Sequence, residues 1–147
     1  MTFPRAKGDV GGDVVSLSFT IPGEPRGKGR PRFARRGKGV TTYTPEATAS
    51  YENWIKVCAL KAANGAEPWP AGVPLALDIT VIFAVPVSWS KRRRLSAYAG
   101  ETWPTGPRND VDNILKVVCD ALNGVLWADD GHVVMANVLR RYVSEGE

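Results

Sequence analysis

The sequence lacks the features of several common protein classes. No apolar run approaches the ~18 residues that a membrane-spanning helix requires, and residues 1–13 contain no apolar signal-peptide core. Neither a GxxxxGK[ST] phosphate loop nor a GxSxG nucleophile motif is present, and no segment has the spacing of an EF-hand loop. We therefore expect a protein without a membrane partner that uses none of these three kinds of site.

Histidine and cysteine are scarce. His132 is the only histidine, which excludes a histidine-rich metal site. The two cysteines, Cys58 and Cys119, fall in predicted helices and lack the spacing of a metal motif. We interpret both as reduced, buried side chains, which predicts a cytoplasmic protein.

The chain of 147 residues is long enough for one domain with its own core. Residues 1–13 are polar and Gly-rich and are predicted to be a disordered tail, so residues 14–147 form the domain. Hydrophobic periodicity predicts three strands and three helices. The predicted strands cover 14–21, 75–85 and 133–143, and the predicted helices cover 45–63, part of 86–100, and 110–123. Together they predict an α/β (α+β) fold, with a small mixed sheet of three to four strands and two main helices packed on it.

Positive charge is concentrated in two segments, residues 26–38 and residues 91–94, although the net charge is only +4. Glycines and prolines exclude a helix in residues 24–44, so the first segment is expected to be a loop or an irregular ribbon. Segregated cations favour a polyanion such as DNA, and a solvated basic tail is the alternative. Phe33 and Tyr43 lie in the first segment, where they could stack on bases or hold the loop to the core. The candidate DNA-binding residues are Arg26, Lys28, Arg30, Arg32, Arg35, Arg36, Lys38, Lys91, Arg92, Arg93 and Arg94.

Residues 109–134 hold five of the fifteen acidic residues of this basic chain. Asp112, Lys116 and Asp120 are spaced four apart, which predicts that they share one face of a helix. The remaining carboxylates flank that helix and could converge with it: Asp110, Asp129 and Asp130. Such oxygen ligands suit Mg²⁺ or Mn²⁺ and would serve phosphodiester hydrolysis, with a lysine holding the scissile phosphate.

Four of these five carboxylates also have a simpler explanation. Asp110 could be only a helix N-cap, and Asp112 only a partner of the helix dipole. Asp129 and Asp130 precede Gly131, so they could be only turn residues. The hydrolytic interpretation therefore depends on the carboxylates meeting in space.

The ordered set of motifs resembles that of the RusA-type Holliday-junction resolvases. The matching motifs are Asp110-Val-Asp112-Asn113-Ile-Leu-Lys116, Asp120-Ala-Leu-Asn123-Gly124 and Trp127-Ala-Asp129-Asp130, preceded by Phe19-Thr-Ile-Pro-Gly23, Lys28-Gly-Arg30-Pro31-Arg32-Phe33 and Tyr43-Thr-Pro45. The resemblance extends from about Val14 to Val143. It departs from the family pattern at Asn109, where many relatives have proline, and at His132.

The resemblance implies a small homodimeric endonuclease. Such an enzyme uses Mg²⁺, or Mn²⁺, to nick opposed strands of a four-way DNA junction symmetrically in recombination and repair. It assigns metal binding and catalysis to Asp110, Asp112 and Asp130, and an essential role to Lys116, while Asp129, Asn113 and Asp120 are weaker candidates. It also implies a nucleoid-associated protein. The alternatives are a nuclease for other branched DNA, such as flaps or forks, and a non-catalytic DNA-binding accessory protein.

Overall fold

A computed structural model describes residues 5–7, 14–29, 32–37, 39–43 and 46–147 of the chain. Side chains within 5–7, 32–36 and 40–43, and that of residue 14, are not described. The strands are β1 (Arg5–Lys7), β2 (Val14–Ser16), β3 (Arg32–Arg36), β4 (Gly39–Tyr43), β5 (Leu75–Phe83) and β6 (Val133–Tyr142). The helices are α1 (Glu46–Ala63), α2 (Lys91–Tyr98) and α3 (Val111–Leu122), with a short 3-10 helix at Asp130–His132. In this part of the chain, no helix has the length and hydrophobicity needed to cross a bilayer.

The main sheet has four strands in the order β2-β1-β5-β6. β5 and β6 are parallel, from the pair Leu75–Val133 to the pair Phe83–Tyr142, and β1 is antiparallel to both of its neighbours. Because parallel strands need a crossover connection, α2 and α3 fill the chain between β5 and β6. β3 and β4 form a separate antiparallel hairpin. The predicted mixed α+β fold is confirmed.

The core lies between the sheet and two of the helices. β5 is the central strand and buries every second residue, which fits the alternation read from the sequence. The fully or almost fully buried side chains are Leu75, Leu77, Ile79 and Val81 of β5, Ile55 and Ala59 of α1, and Ile114, Val117, Val118, Ala121 and Leu122 of α3. The predicted packing of two main helices on the sheet is confirmed.

The helix ends follow their sequence signals. After α1, Asn64 and Gly65 adopt the left-handed conformation, with φ of 48° and 81°, which ends the helix as predicted. Ser90 caps α2, because its Oγ accepts a hydrogen bond from the backbone N–H of Arg93 at 3.3 Å. The predicted start of α1 at Thr44 and Pro45 lies outside the described residues.

The first predicted strand, over 14–21, is shorter in the structure and ends at Ser16. Leu17, Phe19 and Ile21 continue the alternation and pack, partly buried, against the core. The alternation therefore reports burial on one side of an extended chain, which does not require a hydrogen-bonded ladder.

Two other segments are more regular than the sequence predicted. Arg5–Lys7 forms β1 within the segment predicted to be disordered, and the rest of residues 1–13 lies outside the described part. Residues 24–44 contain the hairpin β3–β4 where we predicted a loop or an irregular ribbon. Gly37 has φ of 60° at the hairpin turn, a conformation that glycine adopts without strain.

Candidate functional site

Helix α3 is held at both of its ends. At its N-terminus, Asp110 is the N-cap and accepts a hydrogen bond from the backbone N–H of Asn113 at 3.0 Å. At its C-terminus, the fully buried Trp127 donates its indole N–H to Asn123 Oδ1 at 2.8 Å. The predicted N-cap role of Asp110 is thus observed, and it occupies one of the two carboxylate oxygens.

The polar side of α3 borders an open pocket, which we call the carboxylate pocket. Asp112, Lys116 and Asp130 line it, and its volume is about 480 Å³. All three side chains are exposed to solvent. The remaining lining residues are Leu115 and Cys119 of α3 and residues 133–136 at the start of β6. The structure therefore brings together three of the four residues to which the sequence assigned catalysis, and places Asp110 at the adjacent helix end.

Negative charge accumulates around the carboxylate pocket. Partial burial, together with the neighbouring carboxylates of Asp129 and Asp120, raises the pKa of Asp130. Burial, with a further contribution from Asp130 and Asp120, raises the pKa of Cys119 to about 11. Without a bound metal, the Cys119 thiol is therefore neutral near pH 7 and is a weak nucleophile. A cation in this pocket would relieve the repulsion between the carboxylates.

The donor set suits a divalent metal that is shared with the substrate. Within the described residues, no three His, Cys, Asp or Glu side chains form a group that would hold a metal ion by themselves. Asp112 and Asp130 nevertheless supply hard oxygen donors to one pocket. Mg²⁺ is usually bound by one or two carboxylates plus waters and substrate phosphates, and this arrangement fits that pattern.

Asp120 faces a different part of the molecule from Asp112. Because the α-helix has 3.6 residues per turn, a residue eight positions on is rotated by about 80° around the axis. Asp120 forms an ion pair with Lys28, whose Nζ also lies 2.8 Å from Glu52 on α1. Burial lowers the pKa of Lys28, but its hydrogen bonds to Asp120 and Glu52 outweigh this effect and raise it overall. Asp120 therefore does not line the carboxylate pocket, and the charge of Lys28, predicted to contact DNA, is engaged by protein carboxylates.

The start of the basic segment is fastened to the N-terminus of α3. The backbone N–H of Gly27 donates to Asn109 Oδ1 at 2.7 Å, and that of Lys28 donates to the carbonyl oxygen of Asn113 at 3.0 Å. A Cβ at Gly27 would lie 2.9 Å from that of Asn113, so only glycine fits this close approach. These contacts place the exposed Arg26 beside the helix end that carries Asp110.

Arg140 organises the loop that precedes Asp110, a role that we did not predict. Its guanidinium donates to four carbonyl oxygens of this loop: Pro104 at 2.5 Å, Asn109 at 3.0 Å, Gly106 at 3.3 Å and Arg108 at 3.4 Å. A planar guanidinium with five N–H donors can satisfy several carbonyls at once. The sequence did contain one indication of this role. Arg140 lies two residues after Val138 in β6, and this spacing places its cation on the core-facing side of the strand.

The second basic segment forms the start of α2. Lys91, Arg92 and Arg93 are exposed and form no ion pair with any described residue, while Arg94 is half-buried. The guanidinium of Arg93 lies 3.6 Å from the ring centroid of Trp89, which orients it by a cation–π contact. Three of these four cations are therefore free to meet an anionic partner.

The remaining candidate cations cannot be placed. Arg30 and Lys38 lie outside the described residues, and only the backbone is described for Arg32, Arg35 and Arg36. The backbone of Arg32, Arg35 and Arg36 lies in β3. The contact of all five residues with DNA stays a prediction.

Comparison with known proteins identifies the family. A family model described as Endodeoxyribonuclease RusA matches residues 22–146. The chain belongs to the RusA family. The uncharacterized protein YqaN of Bacillus subtilis (strain 168) is 34% identical over 131 residues, which cover 88% of this chain and 89% of that relative. The RusA family consists of endodeoxyribonucleases that resolve Holliday junctions, so the resemblance seen in the sequence motifs is confirmed.

Replacing Lys28 with Met should destabilise the protein by about 1–2 kcal/mol, because Glu52 and Asp120 would face each other without their shared cation. Urea unfolding measures this change. Lys61, exposed on α1 and without an ion pair among the described residues, provides the matched control Lys61→Met. Equal stability of the two variants would show that the Lys28 bridge contributes nothing.

Replacing Arg140 with Lys should lower the Tm by several degrees, because a point charge cannot reach the four carbonyl oxygens that the guanidinium spans. The control is Arg92→Lys, at an exposed position where the structure shows no hydrogen bond from the guanidinium to described residues. Differential scanning calorimetry compares the two. A Tm of Arg140→Lys that matches the control would mean that the loop before Asp110 does not depend on the guanidinium.

Replacing Asp130 with Asn should raise the Tm at pH 7 in EDTA, because it removes a carboxylate whose pKa is raised on folding from 3.8. A carboxyl group whose pKa is raised on folding stabilises the fold at pH values below its pKa in the unfolded chain. This stabilisation is lost as the pH rises through its pKa in the folded protein. The advantage of Asn should therefore shrink as the pH is lowered towards 4. Glu67→Gln, at an exposed position, controls for the change in net charge. A variant no more stable than wild type at pH 7 would contradict the proposed repulsion.

Proposed function

We propose that this protein is a Mg²⁺-dependent endonuclease that resolves four-way DNA junctions by nicking two opposed strands. The observation that carries the proposal is that Asp112, Lys116 and Asp130 border one pocket. Membership of the RusA family supports the reaction class. Mn²⁺ is expected to substitute for Mg²⁺, because both favour oxygen ligands. Such an enzyme would act on the nucleoid, in the cytoplasm.

The residues divide the chemistry between them. Asp112 and Asp130 would hold the metal, and Asp110 would contribute its free oxygen from the helix N-terminus. When bound, the metal supplies an activated water and neutralises the charge that develops on the phosphate. Lys116 is exposed at the border of the pocket, so its ammonium can contact the scissile phosphate and stabilise the negative charge of the transition state.

Exposed cations would bind the DNA backbone. Arg26 is exposed beside the N-terminus of α3, and Lys91, Arg92 and Arg93 are exposed on α2. Each phosphate contact releases counterions, so binding should weaken as the salt concentration rises. A four-way junction has approximate two-fold symmetry, which a symmetric homodimer with two carboxylate pockets would match.

Asp112→Asn and Asp130→Asn should each reduce nicking of a synthetic four-way junction by about 100-fold or more, because each removes a metal ligand. Junction binding should be retained or tightened, since each removes repulsion against phosphate. Gel assays in Mg²⁺ and in Mn²⁺ measure nicking, and assays without metal measure binding. The control is Asp78→Asn, because Asp78 lies outside the pocket and an amide oxygen can still accept its bond from Asn137.

The outcomes separate this function from its alternatives. Variants that cut as fast as wild type would show that these carboxylates are not catalytic. A wild type that cuts flaps or forks faster than junctions would be a nuclease for other branched DNA. A wild type that binds junctions but cuts nothing in either metal would be a DNA-binding accessory protein.

A further inference from the structure

Trp103 is exposed in the loop that leads to the carboxylate pocket. Its side chain is 54% exposed, although a tryptophan gains stability by burying its ring. The loop runs from residue 101 to residue 109, between α2 and the N-cap of α3. In the described part of the chain, no hydrogen bond or ring contact involves the Trp103 indole. This ring therefore has a large apolar surface and no evident structural partner.

The other four tryptophans each have a partner. Trp127 is fully buried, with its N–H bonded to Asn123, and Trp69 packs against the same core. Trp89 contacts Tyr142 edge-to-face, with 5.3 Å between the ring centroids. Trp54 is also exposed, at 42%, but its indole N–H donates to the carbonyl oxygen of Pro22 at 2.8 Å. Trp54 is therefore a suitable control for an exposed tryptophan with a structural role.

The backbone on both sides of Trp103 is fixed. Thr102 Oγ1 lies 2.8 Å from Ser96 Oγ of α2, and the carbonyl oxygen of Pro104 accepts a hydrogen bond from Arg140. A loop held on both sides of the ring loses little backbone entropy when the ring meets a ligand, so more of the contact energy appears as affinity. The exposure of Trp103 is thus built into the loop and is not a consequence of a free chain end.

The same guanidinium limits the distance between Trp103 and the site. Arg140 bonds the carbonyl oxygens of both Pro104 and Asn109, at 2.5 and 3.0 Å. Both oxygens bond one guanidinium, and Trp103 and Asp110 are the chain neighbours of Pro104 and Asn109. Ordinary covalent geometry therefore limits the distance between the Cα atoms of Trp103 and Asp110 to about 17 Å. Stacked bases are spaced by about 3.4 Å. Trp103 therefore lies at most about five base steps from the helix end beside the pocket.

We propose that the Trp103 indole stacks on a nucleobase exposed at the branch point of DNA, close to the strand that is cut. This inference rests on the proposed function and adds a contact that recognises branched structure. Bases inside a duplex already stack on both faces, whereas a branch point leaves base faces uncovered. Stacking on an aromatic ring is favourable for every base, so this contact reads structure and not sequence. The exposed cations Lys91, Arg92 and Arg108 would hold the adjoining backbone.

The test compares Trp103→Ala, Trp103→Phe and the control Trp54→Phe. Each full-length variant is titrated without metal against a four-way junction that carries 2-aminopurine at the branch point, and against a linear duplex. For Trp103→Ala, we expect junction affinity to fall about tenfold, duplex affinity to change less than twofold, and quenching of 2-aminopurine to be lost. Trp103→Phe should keep most of the affinity and quenching, and Trp54→Phe should behave as wild type.

Nicking of the same junction in Mg²⁺ separates the inference from the function on which it rests. If wild type nicks the junction and Trp103→Ala keeps the wild-type ratio of junction to duplex affinity, the stacking contact is overturned and the nuclease proposal survives. If quenching depends on Trp103 but wild type never nicks, stacking holds and the nuclease proposal fails. If wild type does not prefer the junction, or if Trp103→Ala lowers self-association in sedimentation instead, the inference is overturned.

Discussion

The burial of one side of α3 is the interaction on which the rest of the site depends. Ile114, Val117 and Leu122 are removed from water against β5 and α1, and this fixes the rotation of the helix about its axis. Because the period is 3.6 residues, fixing the apolar side also fixes where Asp112 and Lys116 point. Each fully buried aliphatic side chain contributes roughly 1.5–3 kcal/mol, and together these side chains outweigh the ion pairs and caps that refine the position.

The carboxylate pocket carries an electrostatic cost that the surrounding structure limits but does not remove. Lys28 neutralises Asp120 on one side of α3. Asp130 keeps a raised pKa because it is partly desolvated and because its neighbours are carboxylates. Sites that bind a charged ligand commonly hold like charges that repel one another when the site is empty. The folded protein is then less stable, and the site gains its function. The retained repulsion would favour a cation in the pocket, and under the proposed function that cation would attract the phosphate of DNA.

The parts that the sequence predicted well are those fixed by local pattern. The alternation in β5, the apolar side of α3 and the turn signals around α1 each lie within one stretch of chain, so periodicity was sufficient. The contacts that complete the site join distant segments. Gly27 meets Asn109 across 82 positions, and Arg140 meets Pro104 across 36, and no local pattern encodes such pairs. Asp120 does not line the pocket for a different reason, since a spacing of four drifts around the helix after two steps.

These distant contacts converge on one place, the N-terminus of α3. Residues 25–29 reach it from before α1, and Arg140 reaches it from the last strand. Asn109, which both of them bond, has φ of 53°, a strained conformation that is tolerated where surrounding contacts fix it. This convergence explains how a loop without regular secondary structure can set the position of Asp110. The same loop also joins α2 to α3 and carries the exposed Trp103, so the contacts of Arg140 hold the chain between the two helices.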